Sequence, residues 1–134
     1  MPSIDLSPLA LAIASLKRGV DRSIAAPADE ELRDAVIQRF EYTMDLSWKL
    51  MQRYLRKAGI PESEFRTKRD LFREAARIGL ITDPIKWFGY LEARNETSHV
   101  YNVEVARAVY EKALLFLDDV TSLLKHLEEG IKDA

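Results

Sequence analysis

The sequence predicts an all-α protein, more narrowly an antiparallel up-and-down four-helix bundle with one additional short helix. Apolar residues recur at intervals of three and four, which is the period of an amphipathic helix. No segment alternates apolar and polar residues as a half-buried strand would, and the hairpin dipeptides Asn-Gly and Asp-Gly do not occur. Short turns between long helical segments favour antiparallel neighbours, and hence an up-and-down bundle.

The first two predicted helices are recognised by their ends and their apolar stripes. The first begins with Ser7 as N-cap and Pro8 as the first helical residue. The second begins near Asp29 and ends at Gly59, since glycine followed by Pro61 is typical of a helix end. The stripes comprise Leu9, Ile13, Leu16, Val20 and Ile24 in the first helix, and Leu32, Val36, Phe40, Met44 or Thr43, Ser47, Met51 and Tyr54 in the second.

The third and fourth predicted helices are shorter. Thr67 and Asp70 have the spacing of a capping box at the start of the third helix, which ends at Gly79. Asp83 precedes a proline at the start of the fourth helix, which runs to about Glu96. The apolar positions are Leu71, Ala75 and Ile78 in the third helix, and Trp87, Phe88 and Leu91 in the fourth.

The fifth helix is predicted from Asn102 to Gly130, and its near-heptad apolar spacing is typical of a long bundle helix. Its apolar positions are Ala106, Val109, Ala113, Phe116, Val120, Leu123 and Leu127. All the helices are expected to belong to one domain, residues 1–134, because a chain of this length can bury roughly two thirds of its unfolded surface around a single core.

Composition argues against several classes of protein. The chain has no cysteine, which excludes a disulfide framework, a cysteine-based zinc site and a thiol nucleophile, and favours a reducing compartment. A net charge of −2 argues against a protein that coats nucleic acid through an overall positive field. Neither a secretory signal nor an apolar run of about 18 residues is visible, so a cytoplasmic protein without a membrane-spanning segment is expected.

Residues 53–77 nevertheless form a locally basic run. The basic residues there are Arg53, Arg56, Lys57, Arg66, Lys68, Arg69, Arg73 and Arg77, and the acidic residues are Glu62, Glu64, Asp70 and Glu74. Such a run is either a solvated helix face or a surface that faces phosphates or a partner.

The usual signatures of cofactor and metal sites are missing. There is no glycine-rich phosphate loop and no His-Glu-x-x-His pair, so no cofactor is expected. Glu96 and His99 form one Glu-x-x-His, but a di-iron bundle needs a second one. The other histidine, His126, has Leu123 at the position where the glutamate would stand, so no metal site is expected.

Two groups of polar residues are candidates for chemistry. Glu41 and Asp45 lie one turn apart on the second helix and point the same way, either for acid/base work or to pair with a basic residue of a neighbouring helix. Residues 92–102, at the junction of the fourth and fifth helices, form the second group. Its members with suitable side chains are Arg94, Asn95, Ser98, His99 and Tyr101.

The residue types of the second group suit phosphodiester chemistry. A guanidinium can hold a phosphate in bidentate fashion, and an imidazole with a pKa of about 6.5 can move a proton near neutral pH. The alternatives are structural: Arg94 pairs with Glu41 or Asp45, His99 caps a helix end, and Tyr101 fills a gap.

The spacing Arg94-x4-His99-x-Tyr101 resembles the R-x4-H-x-Y signature of HEPN-domain proteins that are partnered with minimal nucleotidyltransferases. Longer blocks are similar to the nucleotidyltransferase substrate-binding protein family, and the resemblance covers residues 5 to 128. These blocks are residues 32–42, 46–49, 72–81, 87–88 and 93–99. The chain departs from the family at Val100, where threonine is frequent, and at Asn102, where an acidic residue is frequent.

The resemblance implies a homodimer that binds a small nucleotidyltransferase encoded beside it. Members were first interpreted as the substrate-binding half of a split nucleotidyltransferase. Related HEPN proteins are metal-independent toxin endoribonucleases that the partner silences by transferring AMP to the motif tyrosine. Carried over by position, the resemblance implies that Arg94 would bind the scissile phosphate, His99 would act as general base or acid, and Tyr101 would accept AMP. The supporting polar residues are Asn95, Ser98, Glu41 and Asp45.

Two functions therefore remain open, with RNA or a nucleotide as the ligand. The first is the RNase of a toxin–antitoxin-like system, and the second is a non-catalytic subunit that binds nucleotide or substrate. A dimer would bring two copies of Arg94 and His99 into one cleft. The long apolar stripe of the fifth helix, together with aromatic residues in excess of what one small bundle buries, also favours a dimer; the aromatic residues are Trp48, Trp87, Phe88 and Tyr90.

Overall fold

The computed structural model describes residues 4–132 and confirms the all-α prediction: within that range the chain forms five α-helices and no strand. The helices are α1 (Ser7–Ala25), α2 (Glu30–Lys57), α3 (Lys68–Arg77), α4 (Pro84–Asn95) and α5 (Val103–Lys132). Two short 3-10 turns that the sequence did not predict lie at Glu62–Glu64 and Glu96–His99.

Side-chain caps start four of the helices where the sequence predicted. The carboxylate of Asp29 accepts hydrogen bonds from the first backbone amides of α2, at 3.0 and 3.3 Å. Thr67 caps α3 and Asp83 caps α4, at 3.0 and 2.9 Å respectively. Asn102 does the same for α5, at 2.9 Å. These caps satisfy amides that have no partner within the helix.

Two of the three predicted helix ends at glycine are also confirmed. Gly59 follows α2 with φ of 82° and Gly79 follows α3 with φ of 87°, a left-handed conformation that other residues adopt at a cost.

Three details of the predicted helices are wrong. Ser7 is the first residue of α1 rather than its cap, and its backbone amide donates to the Asp5 carboxylate at 2.9 Å. Ile24 is 61% exposed instead of lying in the buried stripe, because the inward-facing position in the last turn of α1 is taken by Ser23, which is 3% exposed. Helix α5 continues past Gly130 to Lys132.

The four longer helices pack as the predicted up-and-down bundle, with α3 as the additional short helix against α2 and α4. Tyr54, in the last turn of α2, lies against Gly130 in the last turns of α5, so these two helices run in the same direction. Helix α1 runs opposite to both, since Ser23 near its end contacts Tyr110 near the start of α5 at 2.7 Å. The short α4–α5 connection likewise reverses the chain.

An aromatic cluster fills the core between α2, α4 and α5. Phe116 is its centre, with ring centroids 5.0 Å from Phe40, 5.5 Å from Trp87 and 5.1 Å from Tyr90. All these contacts are edge-to-face, the geometry that aromatic quadrupoles favour. The Tyr90 hydroxyl donates a hydrogen bond to Asp119, and burial, followed by this bond, raises the pKa of Tyr90.

This cluster corrects one argument for a dimer. Trp87 and Tyr90 are each only 2% exposed, so a single chain buries them without a partner. Trp48 and Phe88 are half-buried, with basic side chains lying over their rings. The number of aromatic residues therefore gives no reason to expect a second chain.

Candidate functional site

The candidate site is built around an ion pair between α4 and α2. Arg94, in the last turn of α4, donates from Nε to Asp45 Oδ1 at 2.8 Å and from Nη2 to Asp45 Oδ2 at 3.0 Å. This is the bidentate geometry in which a guanidinium and a carboxylate interact most strongly. Both side chains are about one third exposed, so the ion pair lies between α2 and α4 and remains partly accessible to solvent.

Thr97 completes the half-buried part of the site. Its hydroxyl donates to the Arg94 carbonyl oxygen at 2.7 Å, and Arg94 Nη1 donates weakly back to Thr97 Oγ1 at 3.4 Å. Thr97 is the one buried residue of the 3-10 turn Glu96–His99, so it attaches that turn to the end of α4. No sequence pattern singled out Thr97, because its role depends on a turn that was not predicted.

The two charges of the pair stabilise each other. Burial alone would raise the pKa of Asp45, but the hydrogen bond and the positive charge of Arg94 outweigh burial and lower that pKa below its ordinary value. Trp48 and Lys49 act in the same direction. The hydrogen bond to Asp45 in turn raises the pKa of Arg94, with a further contribution from the charge of Glu41. Asp45 is therefore an anion at neutral pH and serves to position Arg94.

His99 and Tyr101 form the exposed part of the site. The His99 ring ends the 3-10 turn and lies 6.2 Å from the Tyr101 ring, at an interplanar angle of 75°. Tyr101 is 84% exposed, so it does not fill a gap in the core.

The other predicted residues surround this site without joining its hydrogen bonds in the described part of the chain. Asn95 and Ser98 are exposed on either side of Thr97, and Glu41 is half-buried one turn before Asp45 on α2. Of the two partners that the sequence allowed for Arg94, the structure thus places Asp45 in direct contact and leaves Glu41 to act through its charge.

Arg94 retains the capacity to bind an anion. A guanidinium has five N–H donors, and Asp45 and Thr97 engage three of them. Within residues 4–132 this leaves one N–H on each terminal nitrogen without a partner, and such donors can bind phosphate oxygens. The pair with Asp45 and a bound phosphate are therefore compatible.

Residues 4–132 contain no group of three His, Asp or Glu side chains placed to hold a metal ion. Over the same range, no helix combines the length and the apolar character needed to cross a membrane.

Comparison with known proteins identifies related sequences and structures. Residues 4–129 match the family model described as nucleotidyltransferase substrate binding protein like. A Haemophilus influenzae protein described as a probable ribonuclease HepT is 41% identical over 95 residues, which cover 69% of this chain. The alignment spans 65% of that relative's length, slightly under two thirds.

Two solved structures share the fold. The first, from Haemophilus influenzae, is described as revealing the fold of a substrate binding domain of a nucleotidyltransferase. It has a TM-score of 0.85 at 34% identity, covering 92% of this chain and 99% of that one. The second, a crystal structure from Thermus thermophilus, has a TM-score of 0.74 at 32% identity, covering 89% and 98%.

Proposed function

Because this chain belongs to the nucleotidyltransferase substrate-binding protein-like family, we propose that it is the HEPN component of a two-gene, toxin–antitoxin-like nucleotidyltransferase system and cleaves RNA without a metal ion. The relative described as a probable ribonuclease HepT supports this activity. The observation that carries the proposal is Arg94, which Asp45 holds in place and which keeps two N–H donors unpaired among residues 4–132, on the same helix junction as the exposed His99.

The proposed reaction is attack of an RNA 2′-hydroxyl on the adjacent phosphorus. His99 removes the hydroxyl proton, Arg94 binds the phosphate oxygens as negative charge builds up, and the bond to the 5′-oxygen breaks. The products are a 2′,3′-cyclic phosphate and a 5′-hydroxyl, and the 5′-oxygen needs a proton as it leaves.

A homodimer supplies the second proton-transferring group. One chain contributes one motif histidine, whereas the reaction needs a base and an acid. Two-fold symmetry would place a second Arg94 and His99 in the same cleft, where the partner's His99 protonates the leaving oxygen.

Incubation of the purified protein with total RNA in EDTA tests this proposal. We expect the wild type to produce fragments with cyclic phosphate ends, and His99→Ala to lose cleavage. The control His126→Gln should keep cleavage, because His126 lies on α5 with Nδ1 2.9 Å from the Leu80 carbonyl oxygen, away from the motif. Sedimentation should give about twice the 15.4 kDa of one chain.

A non-catalytic subunit that binds the substrate of a nucleotidyltransferase is the second candidate, favoured by the description of the Haemophilus influenzae structural relative. Intact RNA with both the wild type and His99→Ala would support this candidate and reject the first. A monomer in sedimentation would reject the shared cleft.

We also propose Tyr101 as the AMP acceptor, because its exposed phenol is accessible to a second enzyme. The phenol oxygen would attack the α-phosphorus of ATP, with loss of its proton and release of pyrophosphate. The attached nucleotide would place an anion beside Arg94 and His99 and so block the phosphate site.

Intact-mass measurement after incubation with the neighbouring nucleotidyltransferase, ATP and magnesium should show AMP added to the wild type and none added to Tyr101→Phe. Tyr42→Phe is the matched control, since Tyr42 is 38% exposed and its hydroxyl is bound to Ser15. Equal modification of Tyr101→Phe and the wild type would exclude the proposed acceptor.

A further inference from the structure

We propose that the basic residues on and beside α3 bind the phosphate backbone of RNA and guide the strand to Arg94. This inference rests on the proposed function, because it names the surface that delivers substrate to the same site. The residues are Lys49, Lys68, Arg69 and Arg73, together called the basic surface below. They include three members of the basic run found in the sequence and one residue of α2.

Two aromatic rings hold these cations in place. The Lys68 ammonium lies 4.4 Å from the centroid of the Trp48 ring, and that of Lys49 lies 5.7 Å from it. The guanidinium groups of Arg69 and Arg73 lie 4.9 and 5.2 Å from the Phe88 ring. Cations attracted to a ring face lose less freedom when they bind an anion, since part of their motion is already restricted.

The basic surface is continuous with the candidate site. Trp48 is three residues after Asp45 and therefore on the same side of α2, and both Trp48 and Lys49 help to lower the pKa of Asp45. On the opposite edge, Arg69 pairs with Glu92 of α4, which lies two residues before Arg94 and so points to another side of that helix. The path from the basic surface to Arg94 therefore runs along α2, past Trp48 and Lys49 to Asp45, the partner of Arg94.

The acidic partners of these arginines do not block an RNA strand. Arg69 lies 3.3 Å from Glu92 and Arg73 lies 3.1 Å from Asp70, and all four side chains are 42 to 69% exposed. Ion pairs as exposed as these contribute little, so a phosphate can replace the carboxylate. Contacts of this kind bind any sequence, which means that the basic surface supplies affinity and orientation rather than base specificity.

Fluorescence anisotropy with a labelled oligouridylate tests the proposal, with all variants built on inactive His99→Ala so that binding is measured without cleavage. Lys68→Gln/Arg73→Gln should weaken binding about tenfold or more near 50 mM salt, and should reduce the slope of log affinity against log salt by about 1.4, roughly 0.7 for each lost phosphate contact. Arg18→Gln/Arg22→Gln on α1 makes the same change in net charge and should have neither effect.

A variant with the opposite expected sign separates this role from a structural one. Glu92→Gln removes the carboxylate beside Arg69, so RNA should bind a few-fold more tightly, whereas loss of a merely structural ion pair would not improve binding.

Unchanged affinity and salt slope in Lys68→Gln/Arg73→Gln would overturn the proposal, and cleavage by the wild type would then still stand as a separate result. If that variant binds RNA normally but fails to associate with the nucleotidyltransferase, the basic surface binds a protein and the proposal is equally wrong. If the wild type binds and the variant does not, the proposal holds even where no cleavage is found.

Discussion

Phe116→Ala should destabilise the protein by about 3 to 5 kcal/mol, which is the typical cost of truncating a buried aromatic residue. Phe116 is fully buried, and its ring contacts Phe40, Trp87 and Tyr90 edge-to-face. Those three residues come from α2 and α4, so the cavity would open where three helices meet. Since whole domains are stable by only about 5 to 15 kcal/mol, this one change would remove a large share of the free energy of unfolding.

Urea denaturation at one fixed protein concentration measures the effect, because association of chains makes stability depend on concentration. The neighbouring variant Leu115→Ala is the control: Leu115 is 62% exposed, so its truncation should change stability by less than about 0.5 kcal/mol. A loss below about 1 kcal/mol for Phe116→Ala would mean that the aromatic cluster is not the centre of the core.

Asp45→Asn should reduce RNA cleavage by about 10²-fold, the usual effect of displacing a catalytic group by about 1 Å. The carboxylate accepts two hydrogen bonds from Arg94, whereas an amide has one acceptor oxygen and turns a donor toward the guanidinium. Arg94 would keep its charge and lose its position. Cleavage rates at saturating RNA provide the measurement, because a positioning residue acts on the chemical step.

Glu41→Gln is the matched control for Asp45→Asn. Glu41 acts on Arg94 through charge, so its neutralisation should have a much smaller effect on cleavage. Equal losses in the two variants would show that local negative charge, and not the bidentate geometry, is what matters.

Asp45→Asn should also change how the stability of the protein depends on pH. The pKa of Asp45 is lower in the folded chain than its ordinary value of 3.8, so its stabilising contribution is present above that value and is lost as the pH falls through the folded pKa. The difference in free energy of unfolding between wild type and Asp45→Asn should therefore be constant from neutrality to about pH 5 and shrink in more acidic solution.

The helices could be predicted from the sequence because their signals are local. The caps Asp29, Thr67, Asp83 and Asn102 bind amides two or three residues away, so a short stretch of sequence contains both partners. The start of α1 was misplaced by one residue. Asp5, and not Ser7, supplies the side-chain acceptor there, and Ser7 is already the first helical residue.

The contacts of the candidate site could be predicted only in part. Asp45 and Arg94 are 49 positions apart in the chain, and Glu41 is an equally good partner until the packing of α4 on α2 is known. The aromatic residues raise the same difficulty. Whether Trp87 is buried or exposed depends on Phe116 and Phe72, which other helices bring to it.

The turn Glu96–His99 gives the motif a fixed length. In a 3-10 turn each residue rotates the chain by about 120°, so one added or deleted position would carry His99 to another side of the molecule while Arg94 stayed on Asp45. The buried Thr97 prevents the turn from shifting to compensate. The side chains at the four positions between Arg94 and His99 can therefore be replaced, except that of Thr97. The number of these positions is set by the geometry of the backbone.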